Sequence, residues 1–238
     1  MPSTSGRPGG PLAATTPSSG SGVVPLTRHA LAGLRVLLLM TLLLGGLYPL
    51  AVLAVGQVAV PWQANGSLVR SDGTRATSVD DAGADGAPVV GSALVGQSFG
   101  EPGTDPQWFH GRPSPAGEGY DTLASGGSNL GPSSPELVGT IEERRAAVAA
   151  ADGVDPASVP PDALTASASG LDPHVSPAYA DQQVARVAEA RGLDVTQVRA
   201  LVEQESAGRV LGVLGDPRVN VLALNLAIER LDMSDDAS

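Results

Sequence analysis

The stretch VLLLMTLLLGGLYPLAVLAVGQVAV, residues 36–60, decides how the chain is organised, because it runs for 25 residues without a charged side chain. A helix of that length spans roughly 37 Å, against about 30 Å of bilayer hydrocarbon. The sequence therefore predicts one transmembrane helix over residues 31–60. A cleaved signal peptide is the alternative, but the apolar run is longer than the usual signal-peptide core and continues past the small residues 54–56.

Small residues and a proline interrupt the middle of this predicted span. Gly45 and Gly46 are adjacent, and Pro49 follows three residues later. Such residues often mark close packing against another membrane helix, although no strict GxxxG motif is present. We expect Gly45, Gly46 and Pro49 to form a transmembrane packing surface.

Charges flanking the span predict its orientation. Arg28 and Arg35 precede it, and the next charged residue beyond it is Arg70. The positive-inside rule then places the N-terminus in the cytoplasm and the rest of the chain outside. Residues 1–30, which begin with a Gly/Pro/Ser/Thr-rich stretch, are predicted to be a disordered cytoplasmic tail. The predicted localisation is the cell membrane, with a single pass.

The composition excludes several kinds of chemistry. Residues 62–238 hold 11 arginines and all 25 acidic residues, a net charge of −14, which argues against nucleic-acid binding. The sequence has no lysine and no cysteine. It therefore lacks a Walker-A lysine, a Schiff-base lysine, a cysteine nucleophile and any cysteine-ligated metal site.

Residues 61–238 are predicted to form one extracytoplasmic α/β domain, anchored by the N-terminal transmembrane helix. Short strands are predicted within residues 89–99 and at WFHGR, residues 108–112, and a flexible loop over the polar residues 71–88. Capping residues predict four helices. These begin at Ser134, Ser176, Asp194 and about Asn220, and the second ends at Gly192.

One motif raises the possibility of catalysis. Residues 96–100, GQSFG, match the G-x-S-x-G pattern that presents a serine nucleophile, here Ser98. That pattern requires a helix directly after the serine, whereas EPGTDPQ is typical of a loop. His110 and His174 are the histidines of the exterior part, and neither has the spacing of a helical metal site. A membrane-anchored extracytoplasmic hydrolase is kept as the alternative function.

Two Gly/Ser-rich segments are the most unusual local sequences of the exterior part. They are SGGSN, residues 125–129, and TASASGLD, residues 165–172. Exposed backbone N–H groups and hydroxyls of this kind can bind an anion or a partner's backbone. Tight surface loops are the alternative interpretation. The candidate partner or nucleotide contacts are Ser125, Gly126, Gly127, Ser128, Asn129, Ser169, Gly170 and Asp172.

Eight longer motifs occur in a fixed order over about residues 31 to 232. They are GGLYPL (45–50), PWQANGSLV (61–69), GSALVGQSF (91–99), FHGRPS (109–114), ASGGSNLGPSSPEL (124–137), TASASGLDPHVSP (165–177), QVARVAEARGL (183–193) and PRVNVLALNLAIERLD (217–232). Together they resemble the C subunit of the Kdp potassium-transporting P-type ATPase, the KdpC family. Within that resemblance, GSALVGQSF is a family motif with no hydrolase role.

The resemblance implies an accessory subunit that is needed for assembly of an ATP-driven potassium import complex. It implies a catalytic chaperone that raises the ATP affinity of the ATP-hydrolysing subunit, with no catalytic residues, metal or cofactor of its own. ATP acts through the ATPase subunit, and K⁺ is carried by the complex. The implied partners are a channel-like potassium-binding subunit, the P-type ATPase subunit, a small single-span subunit and membrane lipid. Without lysine, the chain cannot carry the DKTGT phosphorylation motif, so phosphoryl transfer belongs to a partner.

Overall fold

The first helices form a unit that is separate from the rest of the chain. The computed structural model describes residues 23–235, and the chain divides into two units after Val58. Helix α1 runs over Val23–Leu42 and α2 over Tyr48–Ala59, joined by a π-helical turn at Leu43–Leu47. Residues 1–22 of the tail predicted over residues 1–30 lie outside the described residues. Residues 23–30 belong to α1 instead, and Pro25 does not break this helix because it lies in the first turn.

This helical unit is long and apolar enough to cross a membrane. Its stretch Leu26–Ala59 covers 34 residues, has a mean hydropathy of 2.3 in its most apolar window, and buries none of that window. Length and composition thus agree with the predicted span over residues 31–60, although the apolar helix begins before residue 31. A core helix of a soluble domain with this composition would instead be covered by other elements.

The interrupted middle of the helix has a specific geometry. The Tyr48 N–H donates to the Leu43 carbonyl, five residues back, which defines the π-helical turn. Pro49 has no N–H to donate and follows directly on this widened turn. Gly45 and Gly46 lie inside it, and a Cβ added to either would meet no atom within 4 Å. The predicted packing surface at Gly45, Gly46 and Pro49 is therefore open, and its partner helix stays a prediction.

The second unit opens with a one-turn helix, α3 (Pro61–Ala64), and a pair of antiparallel strands. Strand β1 (Leu68–Arg70) pairs with β2 (Val89–Ser92), which covers only the start of the strand predicted within 89–99. The polar residues 71–88 connect the two strands. Asp81 tethers this connection, since it lies 2.6 Å from the Arg70 guanidinium and accepts the Thr77 N–H.

Helices make up most of the remaining domain. They are α4 (Pro135–Asp152), α5 (Pro161–Leu164), α6 (Pro177–Arg191), α7 (Val195–Glu205) and α8 (Val221–Asp235), with a 3₁₀ turn at Pro156–Ser158. The four predicted long helices are confirmed. The sequence could predict them because the residues that start each helix act locally. The Ser134, Ser176 and Asp194 side chains each accept a backbone N–H of the first turn, and Gly192 ends α6 at φ 69°.

A small sheet lies against these helices. Strands β3 (His174–Val175), β4 (Ser206–Ala207) and β5 (Arg218–Asn220) pair in the order β3-β5-β4, with both pairs antiparallel. The main core joins the inner faces of α4, α6, α7 and α8 to this sheet. Its fully buried members include Phe109, Val148, Val184, Val187, Val198, Val219, Leu224 and Ile228. Of the predicted α/β class, the structure shows a mixed helix and sheet domain in which helices dominate and all strand pairs are antiparallel.

The strand predicted at WFHGR, residues 108–112, is wrong. The segment belongs to no strand, and its backbone is paired by side chains. The Asn225 amide accepts the Phe109 N–H and donates to the Phe109 carbonyl, both at 2.9 Å. Gln183 makes the same two contacts with His110, at 2.7 and 3.2 Å. Buried backbone groups need partners, and here residues of α6 and α8 supply them in place of a neighbouring strand.

Candidate functional site

The two Gly/Ser-rich segments lie side by side, although residues 130–164 separate them in the chain. The Gly126 N–H donates to the Ser169 carbonyl at 2.9 Å, and the Ser125 hydroxyl donates to the same oxygen at 3.0 Å. The structure therefore brings the candidate residues Ser125–Asn129 and Ser169–Asp172 into one double loop, which we call the Gly/Ser double loop. Sequence reasoning singled out both segments but did not predict their contact.

Gly170 explains why the two segments approach so closely. Its φ is +67°, and a Cβ at this position would lie 2.8 Å from both the Gly126 carbonyl oxygen and the Ala116 Cβ. Glycine is the residue that adopts this conformation without strain and leaves room for the facing backbone. Gly127 is also crowded, since an added Cβ would lie 3.2 Å from the Ala168 oxygen.

The hydrogen bonds inside the double loop limit what it can bind. The Gly126 N–H is already donated to Ser169, so this group does not form part of an open anion-binding nest. Ser128 and Asn129 remain exposed at the surface, and the Asn129 amide donates to the Gly127 carbonyl at 3.1 Å. The arrangement offers side-chain hydroxyl and amide groups to a partner rather than a ring of free backbone N–H groups.

Asp172 connects the double loop to the FHGRPS segment. Its carboxylate lies 3.2 Å from Arg112 Nη1 and 3.3 Å from His174 Nδ1. Burial alone would raise the pKa of Asp172. Hydrogen bonds from the His174 ring and backbone N–H, with the Arg112 charge, outweigh burial and hold the pKa below its ordinary value. Asp172 is therefore a fixed negative charge at neutral pH.

Arg112 is the central residue that sequence reasoning missed. Besides Asp172, its guanidinium donates to the Thr165 carbonyl at 3.1 and 3.3 Å and to the Ala166 carbonyl at 3.4 Å. It thereby fixes the start of the second Gly/Ser segment. Its only sequence signal was its place in FHGRPS, because its partners lie more than 50 residues away.

A cleft of about 340 Å³ opens next to Arg112. Its charged lining is mixed, with Arg112 and Arg144 facing Glu101, Glu118 and Glu143. Its other polar and aromatic lining includes Ser98, His110, Ser114, Tyr120 and Tyr179. A cleft with both signs of charge suits a zwitterionic or peptide-like surface better than a simple ion.

Tyr120 forms one wall of this cleft and is held in place by its hydroxyl. That hydroxyl donates to the Arg112 carbonyl at 2.8 Å, and the residue sits at φ +56°. Burial, reinforced by the Asp172 charge, raises the pKa of Tyr120 to about 12. The tyrosine is therefore a neutral, positioned donor and not a base.

Ser98 and His110 of the hydrolase alternative line the same cleft without forming a catalytic pair, and His174 does not line it. The Ser98 hydroxyl accepts the Gly100 N–H at 3.4 Å, and His110 Nε2 lies 3.4 Å from the Asp105 carbonyl oxygen. Within residues 23–235 no hydrogen bond joins Ser98 to either histidine. An activated serine requires a base within hydrogen-bond reach, so this geometry gives the alternative no support.

His110 is almost completely buried beneath the cleft. Burial, followed by the nearby Arg186 charge, lowers the pKa of its imidazole. Arg186 itself is paired with Asp152 at 2.7 Å and donates to the carbonyls of Pro106 and Trp108. In the part of the chain that the structure describes, no group of three His, Asp or Glu residues is arranged to hold a metal ion.

Comparison with known proteins shows which family this chain resembles. Residues 30–230 match the family model described as KdpC, the c chain of the K⁺-transporting ATPase. A "Potassium-transporting ATPase KdpC subunit" from Kineococcus radiotolerans is 57% identical over 203 residues, which is 85% of this chain and 94% of that protein. Proteins of the same name from Sorangium cellulosum and Nitratidesulfovibrio vulgaris are each 48% identical, over 202 and 210 residues. These cover 84% and 88% of this chain, and 97% and 96% of the relatives.

Proposed function

The chain belongs to the KdpC family, the c chains of the K⁺-transporting ATPase, and on that basis we propose that it is a membrane-anchored accessory subunit needed to assemble the potassium import complex. The observation that carries the proposal is the match over residues 30–230, which includes both the apolar helix and the Gly/Ser double loop. Its partners in this proposal are a channel-like potassium-binding subunit, a P-type ATPase subunit and a small single-span subunit.

The proposed topology is a single pass with the N-terminus in the cytoplasm. Arg28 and Arg35 stand at the N-terminal end of the apolar helix, and residues 62–238 carry a charge of −14. The positive-inside rule supports a cytoplasmic position for the two arginines. The domain that holds the cleft and the double loop is then extracytoplasmic.

The subunit acts on ATP use indirectly in this proposal, as a catalytic chaperone. A chain without lysine cannot supply the phosphorylation motif, so a partner hydrolyses ATP. An extracytoplasmic domain also has no access to cytoplasmic ATP. Its effect on ATP affinity therefore passes through helix packing at Gly45, Gly46 and Pro49, or through assembly of the complex. In the latter case, Ser128 and Asn129 of the double loop are candidate contacts.

The test compares membranes from cells that make the complete complex with membranes from cells that lack only this chain. We expect the complete complex to hydrolyse ATP with a lower KM for ATP and to support growth at low potassium. If the partner subunits assemble and bind ATP equally well without the chain, the proposed role is wrong. Replacing Ser98 with Ala is the matched control, because the accessory role predicts unchanged transport, whereas a hydrolase would lose its activity.

A further inference from the structure

Trp62 stands close to the end of the apolar helix. That helix ends at Ala59, three residues before Trp62. Because successive Cα atoms lie about 3.8 Å apart, at most roughly 11 Å of chain separates the two residues. The polar headgroup layer is about 5–8 Å thick on each face of a bilayer, and tryptophan is enriched there. In a chain that this helix anchors, Trp62 therefore lies at the level of the lipid headgroups.

The Leu68 carbonyl fixes the Trp62 side chain beside the loop that follows β1. This oxygen accepts the indole N–H at 2.8 Å and the Ala76 N–H at 3.0 Å. Ala76 is buried, and the carbonyl of its neighbour Arg75 accepts a hydrogen bond from Arg70 Nη1 at 2.6 Å. The backbone of Arg75 is therefore held next to the indole ring by hydrogen bonds on both sides.

The Arg75 side chain lies over the Trp62 ring and keeps its hydrogen-bond donors unused. Its Cζ is 4.3 Å from the ring centroid, which is within the distance of a cation–π contact. The residue is exposed, and within residues 23–235 its guanidinium has no hydrogen-bond acceptor and no acidic partner. Asp72, the nearest acidic residue in the sequence, accepts the Thr74 N–H and hydroxyl instead. Arg75 therefore presents a full set of N–H donors at the level of the headgroups.

We propose that Arg75, supported by the Trp62 ring, binds the phosphate group of a phospholipid headgroup. The inference rests on the proposed function, which anchors the chain in the membrane. Lipid is the occupant because the apolar helix ends three residues from Trp62, so headgroups surround this position. The planar guanidinium matches two oxygens of a phosphate. A zwitterionic lipid such as phosphatidylcholine suffices, since it carries no net charge for the −14 of residues 62–238 to repel.

The experiment measures how fast phenylglyoxal, a reagent for free guanidinium groups, modifies Arg75 in the full-length chain. The chain is reconstituted into two kinds of nanodisc with the same acyl chains, one of phosphatidylcholine and one of an uncharged glucolipid without phosphate. Mass spectrometry of the peptides gives the rate, and Arg145, an exposed arginine of α4, is the internal control. We expect Arg75 to react about tenfold more slowly in phosphatidylcholine, which corresponds to about 1.4 kcal/mol, and Arg145 to react equally in both bilayers.

The outcomes separate this inference from the proposed function. Equal rates for Arg75 in the two bilayers overturn the inference and leave the proposed function standing. Full protection of Arg75 in the glucolipid bilayer by added glycerophosphocholine identifies a site for soluble phosphodiesters and overturns the assignment to lipid. If the chain enters neither bilayer, the membrane anchoring fails, and this inference fails with it.

Two substitutions test the part played by the indole ring. We expect Trp62→Leu to lose the protection of Arg75 in phosphatidylcholine, because the side chain no longer offers a ring face to the guanidinium. Trp62→Phe keeps an aromatic face and is expected to retain most of the protection. Full protection in Trp62→Leu, or equal loss in both variants, overturns the role given to the ring.

Discussion

Arg112 Nη1 lies 3.2 Å from Asp172 Oδ2, and this ion pair joins two segments that are 60 residues apart in the chain. The same guanidinium holds the Thr165 and Ala166 carbonyls, so a single side chain fixes the approach of the second Gly/Ser segment. The wall of the cleft and the double loop consequently depend on one another.

Replacing Arg112 with Ala is expected to destabilise the domain by about 2–4 kcal/mol, because the partly buried Asp172 carboxylate loses its arginine partner and two carbonyls lose the guanidinium that donates to them. Urea unfolding of the detergent-purified chain measures the loss. Arg199→Ala is the matched control, since Arg199 pairs with Asp181 at 2.9 Å on the exposed surface. We expect that pair to contribute about 0–1 kcal/mol, and equal losses for the two variants would contradict the role given to Arg112.

Gly170→Ala is expected to force the two Gly/Ser segments apart. The new Cβ would lie 2.8 Å from the Gly126 oxygen, at a φ that alanine rarely adopts. We predict a loss of about 1–3 kcal/mol in unfolding free energy. Gly131→Ala is the control, because its Cβ would meet no atom within 4 Å. Unfolding curves for Gly170→Ala that match those for Gly131→Ala would show that the close approach is unimportant.

Asn225→Ala is expected to release the segment that carries Phe109. It removes the partners of two buried backbone groups, both bonded at 2.9 Å. The predicted cost is about 2–4 kcal/mol, with faster hydrogen exchange at the Phe109 amide. Gln197→Ala on the exposed face of α7 should change stability by less than about 0.5 kcal/mol. An unchanged exchange rate at the Phe109 amide in Asn225→Ala would contradict the role given to the Asn225 side chain in holding this segment.

His110 predicts a pH dependence of stability. Burial lowers the pKa of His110 in the folded protein, whereas an unfolded histidine titrates near about 6.5. The unfolded chain therefore takes up a proton first, so stability should fall as the pH drops below about 6.5 toward the lower folded pKa. Melting temperatures between pH 5 and 8 would follow this change, and His110→Gln should flatten it.

Asp172 is expected to affect stability in a lower pH range than His110, and Asp172→Asn tests this. The folded pKa of Asp172 is below its ordinary value, so its contribution to stability is present above about pH 4 and is lost only as the pH falls further. The difference between Asp172→Asn and the unaltered chain should therefore stay constant between pH 5 and 8. If this stability difference changed with pH between pH 5 and 8, it would contradict a folded pKa of Asp172 below its ordinary value.

Local signals explain what the sequence could predict. The long helices follow from Ser134, Ser176 and Asp194, whose capping contacts reach only two or three residues along the chain. The membrane span could be predicted from the number of consecutive uncharged residues up to Val60. The early start of α1 was missed because the prediction placed the start of the helix at residue 31, although α1 begins at Val23.

Long-range contacts explain what it could not predict. WFHGR has strand-like composition, but its backbone partners are the side chains of Gln183 and Asn225, 73 and 116 residues away. In the same way, Gly/Ser composition singled out the candidate residues of the double loop, while the contact of Gly126 with Ser169 depends on the folded chain. Arg112 was overlooked because its importance lies entirely in those distant partners.

The measurement that tests the central claim most directly is purification of the C-terminally tagged chain, in mild detergent, from potassium-starved cells, followed by mass spectrometry of the copurifying chains. The account predicts recovery of a P-type ATPase subunit together with a channel-like potassium-binding subunit. Recovery of the folded, stable chain alone would contradict it, and would return attention to an anchored protein that acts by itself.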